Sequence, residues 1–191
     1  MNDAKKMQNA VRTILTGIGE DPEREGLKAT PERVQRMYGE LCAGYQMDLQ
    51  SVVHGAVFEE QCASMVLVRN ISFYSMCEHH MLPFYGKIHV AYFPDGKIIG
   101  LSKIPRIVEM YARRLQVQER LTEQVCDSIE SVLHPKGIAV LTNGMHMCSI
   151  MRGIKKENAE MVTTRFTGVF LEKPELKDEF YRQIGLPVSA E

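Results

Sequence analysis

The sequence predicts an α+β protein in which an antiparallel sheet carries two consecutive helices on one face. Three observations support this fold class. Helical periodicity dominates the N-terminal third, strand-like patterns begin at residue 64, and two amphipathic helices separate an earlier group of strands from a later one. This order is typical of sheets whose helices lie together on one side. We therefore expect an N-terminal helical segment over residues 1–62 and a main domain over residues 63–191.

Two amphipathic helices are predicted in the N-terminal segment. Apolar residues recur at helical spacing over residues 7–18, and the pattern stops at Gly17 and Gly19. Thr30-Pro31 indicates a second helix start, with a capping side chain followed by proline at the first helical position. Such apolar stripes are more typical of packing or oligomer-forming surfaces than of catalytic sites.

The main domain is predicted to alternate between sheet and helix. The first group of strands ends in a turn at residues 94–96, and Pro105 opens the first of two helices. A break near residues 115–117 separates this helix from a second one, whose apolar stripe covers residues 121–133. Residues typical of β-structure then return. The predicted strands cover residues 65–68, 71–76, 88–92, 138–141 and 162–166.

Composition excludes several classes of function. The 191 residues are 45% hydrophobic and 25% charged, with a formal net charge of −1, as expected for a globular domain without a nucleic-acid partner. No apolar run approaches the roughly 20 residues of a membrane span, and no signal-peptide pattern opens the chain. We therefore expect a cytoplasmic protein that does not bind membranes. Any polyanion must be held by a local cluster of Lys and Arg.

Isolated cysteines and histidines carry no metal-site pattern. Five cysteines are an odd number, which in a reducing compartment indicates thiols or metal ligands rather than disulfides. Three cysteines have no Cys or His close to them in sequence and are interpreted as small buried hydrophobes. Three histidines are interpreted as structural or surface residues. These residues are Cys42, Cys62, Cys126, His54, His89 and His134.

Two short segments have the composition of a metal site: Cys77-Glu78-His79-His80 and His146-Met147-Cys148. Residues 77 and 80 can converge from a turn, and residues 146 and 148 share a face if their segment is extended. Zinc prefers thiolate and imidazole, and catalytic zinc keeps one position for water beside three protein ligands. A surplus histidine could then transfer protons. The spacing leaves open which three residues bind, and whether the site is catalytic or a closed structural site with four ligands.

Longer motifs add a family resemblance. Together with their order and spacing, they resemble GTP cyclohydrolase I over nearly the whole chain. The motifs are DPEREGL at residues 21–27, TPERV at 30–34, SMCEHH at 75–80, GLSKI at 100–104, QVQERLT at 116–122, HMC at 146–148 and MRG at 151–153. The resemblance implies a tunnelling fold with its catalytic domain at residues 63–191. It also implies a homodecamer of two pentamers, which converts GTP and water to formate and 7,8-dihydroneopterin triphosphate.

The resemblance also assigns roles within the two Cys/His segments. It implies that Cys77, His80 and Cys148 bind Zn²⁺, while His79 and His146 remain unligated. The zinc would lower the pKa of bound water to about 7, which makes hydroxide available for attack on carbon 8 of guanine. His146 would protonate the imidazole nitrogen of the base, and His79 would assist ring opening.

Substrate contacts follow from the same resemblance. Glu119 would accept hydrogen bonds from the guanine edge, and Gln118 would line the same pocket. Polar and basic residues would hold the ribose and triphosphate, and these are Ser102, Lys103, Arg106 and Arg152. Arg36 stands where many members have Lys and would reach the phosphates from a neighbouring subunit.

The chain departs from the family pattern just before His146. Most members have an acidic and a small residue there, whereas this chain has Asn143-Gly144. Loss of that carboxylate would weaken the orientation of His146 or alter the charge balance of the pocket, and such changes typically lower metal affinity or activity about 10–100-fold at metal sites. Two alternatives stay open as a result. One is a nucleotide-binding or regulatory subunit with a structural zinc, and the other is an enzyme that opens the ring without completing the rearrangement.

Overall fold

The structure is a computed structural model that describes residues 2–187. The chain forms two compact units, which divide between Ala43 and Gly44. The segment from residue 44 to residue 62 packs within the second unit, because it contains a strand that pairs with a later strand of that unit. The domain boundary after residue 62 stays a prediction. No helix within residues 2–187 combines the length and apolar character needed to cross a membrane.

The first unit contains the two predicted amphipathic helices, α1 (Asn2–Gly17) and α2 (Thr30–Leu41). The predicted cap of α2 is wrong in detail. Thr30 already belongs to the helix, and Ala29 occupies the cap position without a side-chain hydrogen bond. An exposed ion pair between Arg12 and Glu23, 2.7 Å apart, connects α1 to the loop that follows it.

The second unit contains seven strands and six helices within its described residues. The strands are β1 (Val57–Glu59), β2 (Val66–Cys77), β3 (Pro83–Phe93), β4 (Lys97–Ile99), β5 (Leu115–Gln116), β6 (Gly137–His146) and β7 (Met161–Phe166). The helices are α3 (Leu49–Val53), α4 (Lys103–Ala112), α5 (Gln118–Leu133), α6 (Met147–Ile150), α7 (Val169–Glu172) and α8 (Pro174–Ile184). The sequence did not indicate α3, α6, α7 and α8, three of which are only four or five residues long.

The main sheet has the strand order β5-β2-β3-β6-β7. All its pairings are antiparallel except the short parallel contact between β5 and β2, so the predicted α+β class is confirmed. The two strands predicted over residues 65–68 and 71–76 form one strand, β2. Its register shifts between Val68 and Ile71, where Asn70 takes a positive φ of 61°. β1 and β4 form a separate two-stranded sheet.

Alternate residues of each strand point to opposite faces of the sheet, and each face is covered by helices. On one face, α4 and α5 pack against buried side chains such as Phe73, Ile88 and Val90, as predicted. On the other face, Phe170 of α7 and Phe180 of α8 pack against a second cluster. The second cluster includes Ala91, Ala139 and Leu141. His146 is the last residue of β6, beyond the packed centre of the sheet, and residue 148 follows two positions later.

We predict that Gly86→Ala destabilises the protein by about 1–3 kcal/mol, as overpacking of a close contact does. A Cβ atom at Gly86 in β3 would overlap the backbone oxygen of Asn143 in β6, so the two strands would have to separate. Gly39→Ala is the matched control, since a Cβ atom at this position in α2 meets open space. Urea unfolding should show a loss of stability for Gly86→Ala and none for Gly39→Ala. Equal stabilities would contradict this reading of the β3–β6 contact.

Candidate active site

The loop between β2 and β3 is held in a tight turn around Cys77. The Cys77 N–H donates to the carbonyl oxygen of Leu82, and the Met81 N–H donates back to the carbonyl oxygen of Cys77, both at 2.8 Å. Met81 adopts a left-handed φ of 52° to close the turn. The predicted turn is therefore confirmed, and it presents residues 78–80 at the end of the sheet.

Pairing of β3 with β6 brings the second Cys/His segment to this loop. Phe84, near the start of β3, lies opposite His146, the last residue of β6. The condition of an extended 146–148 segment is met only at His146, because Cys148 lies in the single helical turn α6. The turn nevertheless directs its thiol to the loop. The ligand atoms of Cys77, His80 and Cys148 all lie within 4.8 Å of one another.

This group has the donor chemistry of a zinc site. Two sulfur atoms and one imidazole nitrogen converge, and a tetrahedral ion with Zn–S bonds of about 2.3 Å holds its ligand atoms at separations within this range. Cys77 is buried, Cys148 is half-buried and His80 is exposed, so the group opens to one side. Burial and the neighbouring Cys77 raise the pKa of the Cys148 thiol. A bound dication would offset this effect, since a coordinating thiol is deprotonated.

His79 lies beside the group without belonging to it. Its Nδ1 atom is 3.8 Å from the sulfur of Cys77. Its ring meets the ring of His80 edge-on, with centroids 6.4 Å apart. The two adjacent histidines thus differ in position, because His80 lies in the group with the two thiols and His79 does not.

His146 is fixed by two contacts on different sides of its ring. The ring stacks on Phe84, with centroids 4.6 Å apart and planes within 7° of parallel. Its Nε2 atom lies 3.0 Å from Oε1 of Gln118. Burial lowers the pKa of His146, and the negative charge of Glu119 partly opposes that shift. Glu119 therefore lies close enough to influence the proton affinity of this histidine.

Gln118 has no exposed surface, and its amide orientation is determined by its partners. The amide nitrogen donates to the carbonyl oxygens of Thr142 at 3.1 Å and Met161 at 2.7 Å. Because carbonyl oxygens only accept hydrogen bonds, the amide oxygen must face His146, which then donates from Nε2. Gln118 thus contacts a histidine of the site, and its burial leaves no surface for a ligand in this chain.

The unusual pair before His146 divides between the two faces of the sheet. A Cβ atom at residue 144 would overlap the amide oxygen of Gln118, so Gly144 makes room for the amide that holds His146. Asn143 points the other way, and its side-chain amide donates to Glu160 at 2.7 Å. The described contacts of Asn143 do not include His146. Asn143 therefore makes no direct contact through which it could weaken the orientation of the His146 ring.

A second connection, which the sequence analysis missed, joins the metal-site loop to α5. Glu78 accepts two hydrogen bonds from Arg120, at 2.6 and 3.1 Å, and this ion pair lowers the pKa of its carboxyl group. The Glu78 N–H also donates to the carbonyl oxygen of Gln116, at 3.0 Å. Both groups of Glu78 thereby connect the loop to the start of α5, where Glu119 is exposed. The two charges are 42 positions apart in sequence, so spacing gave no signal of the pair.

Within residues 2–187 the predicted phosphate ligands make no direct bond to the metal group, although the charge of Arg152 lies near enough to Cys148 to influence its pKa. Ser102 occupies the position before α4, and Lys103 donates to the carbonyl oxygen of Val52 at 3.1 Å. Arg106, one turn further along α4, borders a cavity of about 310 Å³. Arg152 is exposed four residues after Cys148. In the part of the chain that the structure describes, no hydrogen bond or ion pair joins these side chains to the three metal-site residues.

Arg36 belongs to the first unit, where it pairs with Glu32 at 2.9 Å on the exposed surface of α2. This pair joins consecutive turns of one helix and is easily exchanged for another anion, since exposed ion pairs contribute little stability. Its contact with the phosphates of a substrate in a neighbouring subunit stays a prediction.

The remaining cysteines and histidines largely match their interpretation as structural residues. Cys126 is buried, which raises the pKa of its thiol to about 12. Cys42 and Cys62 are only half-buried, so the expectation of full burial is wrong for both. His54 and His134 end α3 and α5 in left-handed conformations. His89 is buried in the sheet.

Fold and site together define an α+β protein with a Cys-His-Cys group that can hold a metal ion and two further histidines beside it. Residues 7–185 match the model of the GTP cyclohydrolase I family. The chain therefore belongs to the GTP cyclohydrolase I family, and the tunnelling fold expected from the sequence is confirmed.

Curated relatives agree with this assignment. GTP cyclohydrolase 1 of Chlorobaculum tepidum is 56% identical over 94% of this chain and 80% of its own length. The protein of the same name from Leptospira biflexa is 53% identical over 91% of this chain and 95% of its own. That of Alkalilimnicola ehrlichii is 52% identical over 96% and 100%. Among solved structures, an apo archaeosine synthase QueF-Like aligns with a TM-score of 0.48 at 16% identity, covering 56% of this chain and 97% of that one.

We predict that the purified protein carries about one metal ion per chain and that Cys148→Ala loses most of it, because two protein ligands hold the ion far less tightly than three. Cys62→Ala is the matched control, since Cys62 is also half-buried and lies outside the group. Elemental analysis after gel filtration measures the metal content. Retention of the full metal content by Cys148→Ala would show that the ion is bound elsewhere.

Proposed function

We propose that this chain is a zinc-dependent GTP cyclohydrolase I, which converts GTP and water to formate and 7,8-dihydroneopterin triphosphate. The observation that carries the proposal is the convergence of Cys77, His80 and Cys148 with His79 and His146 left outside the group. Family membership supports the same reaction. Three ligands rather than four favour a catalytic ion with one position for water over a closed structural site.

The donor set fits zinc better than magnesium or calcium, because thiolate and imidazole are its preferred ligands. Bound zinc would lower the pKa of a water molecule to about 7, which makes a nucleophile available for carbon 8 of guanine at neutral pH. The exposed side of the group, at His80, is where the base would approach.

His146 is the proposed proton donor to the imidazole nitrogen of guanine. Gln118 accepts from Nε2, which leaves Nδ1 as the atom that can bind and release a proton. Stacking on Phe84 limits rotation of the ring, so that this atom keeps one direction. Burial lowers the pKa of His146, which makes the protonated ring a readier proton donor, and the negative charge of Glu119 partly opposes this shift. Gln118 thereby acts as a positioning residue.

His79 is the proposed second proton-transfer group, which acts in ring opening and in the later rearrangement of the sugar. Its Nδ1 atom lies 3.8 Å from the sulfur of Cys77, beside the group and outside it, which supports this role. A neutral histidine near a metal group can take up a proton in one step and return it in the next.

Base and phosphate recognition are assigned to the residues that the motifs indicate. Glu119 is exposed on the first turn of α5, where its carboxylate can accept hydrogen bonds from the N–H groups of the guanine edge. The ribose and triphosphate are assigned to Ser102, Lys103, Arg106 and Arg152. Arg36 of a neighbouring subunit would complete the phosphate site. The proposal therefore includes a homodecamer of two pentamers, and a cytoplasmic location where GTP is available.

Incubation of the purified protein with GTP tests the activity directly. We expect formate and, after oxidation, a fluorescent pterin, with ATP as the control nucleotide that gives neither. Removal of the metal by a chelator should abolish the reaction and added zinc should restore it, because the nucleophile depends on the ion. The absence of both products from zinc-loaded protein would refute the proposal.

The same assay separates the two alternatives. A nucleotide-binding subunit with a structural zinc would bind GTP without releasing formate. An enzyme that stops after ring opening would accumulate a formylated or deformylated pyrimidine, which mass spectrometry distinguishes from the pterin.

We predict that Gln118→Leu lowers kcat by about 10–100-fold while the zinc content stays unchanged, as loss of a residue that orients a group at a metal site does. Nitrogen chemical shifts of His146 should show that the preference for a proton on Nε2 is lost. Gln183→Leu, in which the altered side chain is exposed at the end of α8, is the control and should keep wild-type kcat. An unchanged kcat together with altered His146 shifts would show that the orientation of this ring is not needed for turnover.

A further inference from the structure

Arg120 lies near two carboxylates, one on the metal-site loop and one on its own helix. Glu78 accepts one hydrogen bond from each terminal nitrogen of the guanidinium group, at 2.6 and 3.1 Å. Glu119 is the preceding residue in the first turn of α5. The hydrogen bonds to Glu78 raise the pKa of Arg120, and the negative charge of Glu119 contributes to the same shift. Both carboxylates therefore act on this one guanidinium group.

The structure gives Arg120 to Glu78 and leaves Glu119 without a partner. Two parallel N–H···O bonds are the strongest geometry between a guanidinium and a carboxylate. Within residues 2–187, the side chain of Glu119 is exposed and takes part in no hydrogen bond or ion pair. Consecutive side chains on a helix point in different directions, and the bonds to Glu78 keep Arg120 on the side of the loop. The carboxylate of Glu119 stays available to a ligand as a result.

An unrestrained Arg120 would compete with a base for Glu119. A guanidinium carries a full charge and five N–H donors in a fork that matches a carboxylate, whereas the guanine edge offers uncharged N–H donors. The side chain of Arg120 is 45% exposed, so it has room to turn once its partner is removed. Its charge near Glu119 would also make that carboxylate a weaker acceptor.

We propose that Glu78 determines specificity for guanine, because it occupies Arg120 and so keeps Glu119 free for the edge of the base. This inference rests on the proposed function, in which Glu119 binds guanine. Glu78 acts through Arg120 and is therefore a positioning residue. The N–H group of Glu78 also donates to the carbonyl oxygen of Gln116, at 3.0 Å, so removal of the carboxylate leaves a backbone bond that holds the loop.

The test compares two nucleotides on the full-length, zinc-loaded protein by titration calorimetry. The probes are the analogues of GTP and inosine triphosphate in which carbon replaces the ring nitrogen N7, so that neither ring is opened. The inosine analogue keeps the N1–H group and lacks the 2-amino group. The wild type should bind the guanine analogue about tenfold more tightly, which is the effect of one hydrogen bond to a charged group.

Two variants separate the proposed role from support of the loop. Glu78→Gln frees Arg120, and the preference for guanine should fall by about threefold to tenfold at unchanged zinc content. Adding Arg120→Gln to this variant removes the competing guanidinium, so the preference should return to that of the wild type. A role confined to holding the loop predicts no recovery, since the ion pair is absent from both variants.

Glu123→Gln is the matched control. Glu123 lies one helical turn after Glu119 on α5 and forms another exposed ion pair, with Arg165 at 3.3 Å. Its loss should leave the preference for guanine unchanged. Exposed ion pairs contribute little stability, so all variants should remain folded, and thermal unfolding checks this before the comparison is made.

Four results would overturn the proposal. They are an equal affinity of the wild type for the two analogues, an unchanged preference in Glu78→Gln, a loss of zinc from that variant, and a double variant that recovers nothing. The last two would show that Glu78 supports the loop itself. Formate release from GTP by the wild type is measured separately, so failure of this inference is distinguishable from failure of the proposed reaction.

Discussion

The antiparallel pairing of β3 with β6 is the constraint on which the site depends. Its register runs without a shift from Phe93 opposite Gly137 to Phe84 opposite His146. One strand begins just after the loop of Cys77, and the other ends two residues before Cys148. A slip of one residue would move every side chain of one strand to the other face of the sheet. The register therefore decides whether the two thiols and the imidazole meet.

The buried amide of Gln118 makes the orientation of His146 depend on this strand register. Gln118 lies at the start of α5, yet its nitrogen is bound by carbonyl groups of β6 and β7 and its oxygen by His146. Contacts among α5, β6 and β7 thus determine the orientation of the His146 ring. The absence of a side chain at Gly144 is part of the same arrangement, since any Cβ there would occupy the position of the amide oxygen. Gly144, which fits the small residue of the family pattern, therefore has a definite packing role.

The two faces of β6 serve different purposes. Thr142 and Gly144 face α5 and help to hold Gln118. Leu141 and Asn143 face the side of α8 and border a cavity on that face of the sheet. Because alternate residues of a strand point to opposite faces, neighbouring positions can be altered for unrelated reasons. The Asn143-Gly144 pair combines one residue of each kind, which explains why its effect on His146 could not be judged from the motif.

The sequence by itself determined the α+β class, the main helices and strands, and the two Cys/His segments that supply the metal group. These features depend on local periodicity and on motifs within a few positions of one another, such as Cys77 and His80. Only the tertiary structure decided which histidines stay outside the group, that Gln118 is buried against His146, and that Glu78 pairs with Arg120. It also revealed that His89 Nδ1 and Asn143 Oδ1 are buried without a hydrogen-bond partner within residues 2–187. These contacts join positions that are distant in sequence, and their geometry depends on strand register and side-chain packing, which leave no periodic trace along the chain.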